Sequence, residues 1–260
     1  MKREAIGFWL AAVLLGPMIV WQGRQVRQQT LRLPEPTGDR SGHVSMGGGC
    51  SGLDLAASEA PPLRLLILGD SAAAGVGSSD QERALCGQLV ARLAGHCNVQ
   101  FRLQARTGFT IEDVLLCLEE MATEPCEQTL REQTLFDVVL VSVGVNDVTA
   151  LTSIPQWQHR LGKLDDLLKQ GFGASQVMYT AVPPMHHFPA LPNPLRWWLG
   201  WRARQLNQAL EQQLGASSIL RVDIPFDEAY MAEDGFHPGP AGYAIWAERA
   251  ECAIRAHLGL

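Results

Sequence analysis

The chain has 260 residues, a formal net charge of -6, hydrophobic residues at 47% and charged residues at 18%. That balance excludes a chain kept disordered by low hydrophobicity and high charge. The net negative charge supplies no global field for a phosphate backbone, which argues against nucleic-acid binding. Six cysteines with no Cys-x-x-Cys pair exclude a disulfide scaffold and offer no zinc or thioredoxin-like spacing, and the length predicts one domain with an appendage.

The first feature is the uncharged run Ile6 to Trp21, with Lys2 and Arg3 ahead of it. At about 1.5 Å per residue it spans roughly 24 Å, short of a hydrocarbon core of roughly 30 Å, which suits a thin membrane anchor or the centre of a signal peptide. The residues that follow, Gln22 to Arg27, contain no small-x-small cleavage pair, so a retained anchor is favoured over a cleaved signal. Arg24, Arg27 and Arg32 after the run, against Lys2 and Arg3 before it, lean the rest of the chain toward the cytoplasmic side; a signal would instead deliver it to the periplasm or outside. From Arg32 to Pro62 the composition turns to Pro, Gly and Ser without apolar periodicity and reads as a tether, with Cys50 as a linker thiol. The expected organisation is therefore an N-terminal segment 1–31, a linker 32–62 and a globular domain 63–260.

After Pro62 short apolar runs alternate with helical segments, the pattern of a parallel sheet. Five strands are predicted: Leu63 to Gly69, Val99 to Gln104, Phe136 to Val143, Gln176 to Val182 and Ile219 to Asp223. Several are apolar at consecutive positions, as strands covered on both faces must be. Between them, Ser79-Asp80 can cap a helix with the stripe Leu85, Cys86, Leu89, Val90 and Leu93, and Thr110 with Asp113 forms a capping box ahead of Ile111. Further helices are expected over 155–170, 195–214 and 240–257, the last with Cys252 on an apolar face.

Ligands of a parallel sheet bind outside the carboxyl ends of its strands, so the loops after them carry the candidate chemistry. Gly69-Asp70-Ser71 follows the first strand and places a hydroxyl on a rigid support. Arg106-Thr107-Gly108 follows the second, where a glycine lets a backbone N–H approach a ligand. Gly144-Val145-Asn146-Asp147 follows the third, with an amide that can donate toward the same point. Each of these taken singly also fits a plain turn. Before the last helix, Asp234-Gly235-Phe236-His237 has the spacing that lets Asp234 hold one imidazole nitrogen of His237 while the other faces a serine.

These four blocks, in this order, resemble those of the SGNH/GDSL hydrolases, over roughly Arg64 to His257. The resemblance implies an α/β fold of three α/β/α layers, flavodoxin-like, here with a mostly parallel five-stranded sheet preceded by the anchor-like helix. It implies ester hydrolysis with Ser71 as nucleophile, His237 as base and Asp234 as its orienting carboxylate, and an oxyanion hole from the Ser71 and Gly108 N–H groups and Asn146. No metal or organic cofactor is implied, and the adjacent His186 and His187 are not read as metal ligands. The expected substrate is a small-molecule, lipid or sugar ester. Alternatives are a carbohydrate O-deacetylase with the same triad and a tethered binding module without turnover. The other common serine hydrolase pattern, Gly-x-Ser-x-Gly, is absent, because Ala72 and Ala73 follow Ser71.

The segment Pro183 to Trp201 holds Phe188, Leu191, Leu195, Trp197, Trp198 and Trp201 after a proline-rich start. It either covers the sheet edge or supplies an apolar substrate wall, with Trp197 and Trp198 as the candidate substrate-binding residues.

Overall fold

The computed structural model describes residues 2–47, 61–123 and 135–259, with residues 2–14 and 123 described by backbone alone. In chain order the elements are α1 (Lys2–Gln29), β1 (Ser41–Val44), β2 (Leu63–Gly69), α2 (Ser71–Ala74), α3 (Leu85–Leu93), β3 (Val99–Ala105), α4 (Ile111–Thr123), β4 (Val138–Ser142), α5 (Val145–Thr149), α6 (Ile154–Asp166), β5 (Gln176–Thr180), α7 (Leu195–Leu214), β6 (Ile219–Leu220) and α8 (Pro240–Leu258). All five expected strands form, each within about three residues of the predicted ends.

The sheet has six strands rather than five, in the order β1-β3-β2-β4-β5-β6, and it is mixed: β1 pairs antiparallel with β3 while the other pairs are parallel. The extra strand, Ser41 to Val44, comes from the stretch read as a tether. It escapes a hydrophobicity reading because it is an edge strand with three of its four residues exposed, held by ladder hydrogen bonds rather than by burial.

Alternation along β2 divides the core between the two faces of the sheet. Leu66 and Leu68 point to a layer built with α4, α6 and α7, through Ile111, Trp157, Leu161 and Leu206. Leu65 and Ile67 point to the opposite layer, with Leu85, Leu89 and Leu93 of α3 and Tyr243, Trp246 and Ile254 of α8. The result is an α/β/α sandwich. Cys86 lies in the second layer, where burial pushes its thiol up to about 12. Cys252 is exposed, contrary to expectation, because Tyr243, Trp246, Ala247, Ala250 and Ile254 take the buried stripe of α8 and leave position 252 on the outer face.

Local signals place the helices. Thr110 and Asp113 form the expected reciprocal cap at the start of α4, with the Thr110 N–H donating to Asp113 Oδ2 at 2.8 Å. Asp80 caps a single 3-10 turn, Gln81–Arg83, that leads into α3. Ser153 and Gln156 form a full capping box on α6.

The N-terminal helix does not stand apart. Gln22 is only 5% exposed; its Nε2 donates to Asn193 O at 2.7 Å and its Oε1 accepts from the Leu195 N–H at 3.0 Å, which ties α1 to the start of α7. Among the described residues no helix is long and apolar enough to cross a membrane. The anchor expected over Ile6 to Trp21 finds no support there, and the side chains of its first nine residues lie outside those described. Cys50 also lies outside them.

Candidate active site

β2 lies between β3 and β4, so the crevice where the connections diverge to either side opens at its carboxyl end. There Gly69, at φ 155°, passes so close to β4 that an added Cβ would meet Ser142 O at 2.0 Å. Only glycine allows that approach. The Asp70 N–H then donates to Ser142 O at 3.0 Å, and Asp70 caps α2 by accepting from the Ala72 N–H at 3.1 Å. These bonds set Ser71 at the first position of the short helix. Asp70 is buried; burial raises its carboxyl to about 6, against the opposing pull of the Ala72 N–H and of His237.

Ser71 Oγ lies 2.7 Å from His237 Nε2, and His237 Nδ1 lies 2.5 Å from Asp234 Oδ2. The second carboxylate oxygen of Asp234 accepts from the Phe236 N–H at 2.9 Å and the His237 N–H at 3.0 Å. Burial alone would raise the Asp234 carboxyl, but the ring and backbone donors outweigh it and hold it below the usual carboxylate range. An ionised Asp234 selects the tautomer with hydrogen on Nδ1, which leaves Nε2 free to accept from Ser71. The loop is braced from outside the triad by Ala232 N–H to His237 O at 2.8 Å, and the Ser71 turn by the Tyr243 hydroxyl, which donates to Val76 O at 2.6 Å.

Gly108, Asn146 and Ser71 line one cavity of about 780 Å³. Gly108 has φ 89° and nothing within 4 Å of where a Cβ would stand, so the turn presents bare backbone to that space. Asn146 Nδ2 donates to Phe109 O at 2.9 Å, and the same amide carries a second hydrogen. Asp147, fully buried, accepts from the Ile111 N–H at 3.0 Å and from Thr152 Oγ1 at 2.9 Å. Burial raises its carboxyl against those donors. Together Asn146 and Asp147 fasten the end of β4 to the Gly108 turn.

The structure thus brings Ser71, Asp234, His237, Gly108 and Asn146 to one place. It does not bring Trp197 or Trp198 there. The buried stripe of α7 begins at Leu195 and continues through Leu199, Ala203, Leu206 and Leu210. Trp198 packs beside it and against Trp201, with ring centroids 5.6 Å apart, while Trp197 sits two positions from Leu195 on the outer side, 38% exposed. The aromatic wall comes instead from Phe188 of the same segment, with Phe226 and Phe236. His186 and His187 lie against one another with tilted rings, 4.1 Å between ring centroids, and His187 packs on Phe226. Among the described residues no group of three or more His, Cys, Asp and Glu side chains could hold a metal ion.

Residues that no sequence signal marked also reach the site. Val26, Thr30, Leu31 and Leu33 line the cavity from the end of α1 and the chain after it. Glu35 Oε1 accepts from the Thr107 N–H at 2.7 Å, and its other oxygen pairs with Arg40 Nη1 at 3.1 Å. Burial would raise the Glu35 carboxyl, but the Thr107 and Arg40 donors lower it on balance. Arg40 in turn donates to Ala105 O, at the end of β3.

Residues 67–245 match the model of the GDSL-like Lipase/Acylhydrolase family. A curated GDSL-like esterase from Mycobacterium tuberculosis is 27% identical over 208 residues, which are 75% of this chain and 63% of that protein, so the chain spans less than two thirds of that relative's length. Among solved structures, a lipase from a goat rumen metagenome superposes with a TM-score of 0.55 at 19% identity, covering 74% of this chain and 97% of its own. An acetylxylan esterase from Geobacillus stearothermophilus does so with a TM-score of 0.50 at 19% identity, covering 74% and 94%. At such identities these structures share the fold.

Proposed function

The chain belongs to the GDSL-like lipase/acylhydrolase family, and we propose that it is a serine hydrolase that cleaves carboxylic esters through an acyl-enzyme on Ser71. The observation that carries this reading is the unbroken chain from Ser71 Oγ through His237 to Asp234, at 2.7 and 2.5 Å, beside the Gly108 turn and Asn146.

In the first step His237 Nε2 takes the proton of Ser71 as Oγ attacks the ester carbonyl carbon. The carbonyl oxygen becomes negative and is held by the Ser71 and Gly108 N–H groups and the Asn146 amide, which stabilise the charge where it develops. Asp234 steadies the imidazolium. The tetrahedral intermediate collapses, the C–O bond to the alcohol breaks, and His237 returns the proton to the leaving oxygen. In the second step His237 deprotonates a water that attacks the acyl-enzyme, and the acid leaves as Ser71 recovers its proton. The scheme needs no metal or organic cofactor.

Deacetylation of a carbohydrate is a second reading, favoured by the shared fold with an acetylxylan esterase. The apolar side chains on the cavity wall, among them Val143, Val145, Phe188 and Phe236, weigh against a sugar as the main occupant. A fluorophosphonate probe followed by mass spectrometry tests the mechanism directly. Covalent label on Ser71, lost in His237→Ala, is the expected result. No label on Ser71 together with no hydrolysis across acyl esters and acetylated sugars would favour a binding module without turnover.

A further inference from the structure

The family match begins at residue 67, yet the chain between Gln22 and Leu33 forms a side of the catalytic cavity. Its position is built rather than incidental. The buried Gln22 side chain bonds to both Asn193 O and the Leu195 N–H, which fixes the register of α1 against the start of α7. Further along, Val26 on α1 and Thr30, Leu31 and Leu33 just past its end line the same cavity as Ser71, along with Phe188 and Phe226. Leu31 is 51% exposed, a large apolar side chain left wet at the edge of a mainly apolar space. A polar or acetyl-sized ligand would leave that wall uncovered, whereas an alkyl chain running from the Ser71 acyl carbon would remove it from water.

We propose that this N-terminal wall makes the cavity an acyl-chain site, that the preferred substrates are esters of medium- or long-chain fatty acids, and that Thr30 and Leu31 determine which chain lengths are accepted. The proposal rests on the serine hydrolase reading above and specifies its substrate class. Burial of each methylene in such a site strengthens binding about fourfold, so a chain of several carbons dominates the choice between an octanoyl and an acetyl ester. The wall also explains why α1 is fastened at Gln22: a lining that discriminates by length must hold its position.

The experiment uses the full chain and compares kcat/KM for nitrophenyl octanoate and nitrophenyl acetate. Wild type should prefer octanoate by at least about tenfold. Leu31→Glu, which puts a charge on an exposed lining position, and Thr30→Trp, which fills the space, should each lower the octanoate-to-acetate ratio about tenfold, with thermal melting near wild type. Met46→Glu, an equally exposed apolar position away from the cavity, should leave the ratio unchanged. Equal cleavage of the two esters by wild type, or equal loss of both in the wall variants, would overturn the proposal while leaving the serine hydrolase reading intact. A wall effect on octyl acetate in place of nitrophenyl octanoate would overturn it too, since the chain would then belong to the alcohol. Absence of hydrolysis together with absence of fluorophosphonate label on Ser71 would remove the underlying reading and this proposal with it.

Discussion

Glu35 accepts a 2.7 Å hydrogen bond from the backbone N–H of Thr107, the residue immediately before Gly108. A carboxylate from the chain ahead of the family-matched region therefore holds one side of the turn whose next residue, Gly108, lines the same cavity as Ser71. Arg40 backs it, bonding both to Glu35 and to the carbonyl of Ala105. Glu35 is a positioning residue in this arrangement. Glu35→Ala should lower kcat roughly tenfold with KM little changed, the scale of one charge-assisted hydrogen bond. Glu35→Gln, which keeps an acceptor oxygen for Thr107, should recover most of that loss. Equal kcat in all three proteins, with only the melting temperature altered, would confine Glu35 to a structural role.

The proposed triad makes a sharper demand. Ser71→Ala and His237→Ala should each reduce ester hydrolysis by about three to six orders of magnitude, and Asp234→Asn by about four, because it reverses the tautomer that His237 needs. Steady-state rates on purified variants, with circular dichroism as the folding check, decide the matter. Retention of a tenth of wild-type activity by Ser71→Ala would remove Ser71 from its role.

The parts of this site legible in the sequence are those whose chemistry depends on local spacing. Gly69-Asp70-Ser71 and Asp234 with His237 carry their geometry within three or four residues, so the string of residue types already contains it. β1 left no such trace, because Ser41 to Val44 owes its strand to the neighbouring edge of β3 and not to apolar alternation. Trp197 and Trp198 misled for a related reason: whether an aromatic in a helix faces a cavity depends on helical phase, and Leu195 rather than either tryptophan sets the inward face of α7. Glu35 lies in a Pro-rich stretch that looks like tether until the fold brings it to Thr107, some seventy residues away. Long-range closure of this kind has no periodicity to read.

Asp70 gives a pH prediction for stability. Its folded-state carboxyl is raised to about 6 by burial, against an ordinary value of 3.8. Between those two values the folded chain keeps a proton that the unfolded chain has lost, so stability falls as pH rises through that window. The difference corresponds to roughly 3 kcal/mol at full extent. Asp70→Asn keeps an acceptor for the Ala72 N–H but has no charge to bury. Relative to wild type, its unfolding free energy in urea should therefore improve by roughly 3 kcal/mol between about pH 4 and pH 8. A difference between the two proteins that stays constant across that range would show that Asp70 is ionised throughout.

Asn146 supports two functions at once, and its replacements should separate them. Its Nδ2 donates to Phe109 O at 2.9 Å, which anchors the Gly108 turn, and the second hydrogen of the same amide is the proposed donor to the oxyanion. Asn146→Ala removes both. It should lower kcat about a hundredfold to a thousandfold, equivalent to about 3 to 4 kcal/mol of transition-state stabilisation. Because a donor aimed at the developing charge acts little on the neutral ester, KM should change far less than kcat. Asn146→Asp keeps the size but replaces both N–H donors with oxygen, so it should be at least as slow as the alanine variant and add repulsion to the negative intermediate. An aspartate variant faster than the alanine variant, or a loss confined to KM, would mean that Asn146 serves the turn alone and that the oxyanion is held by backbone N–H groups without it.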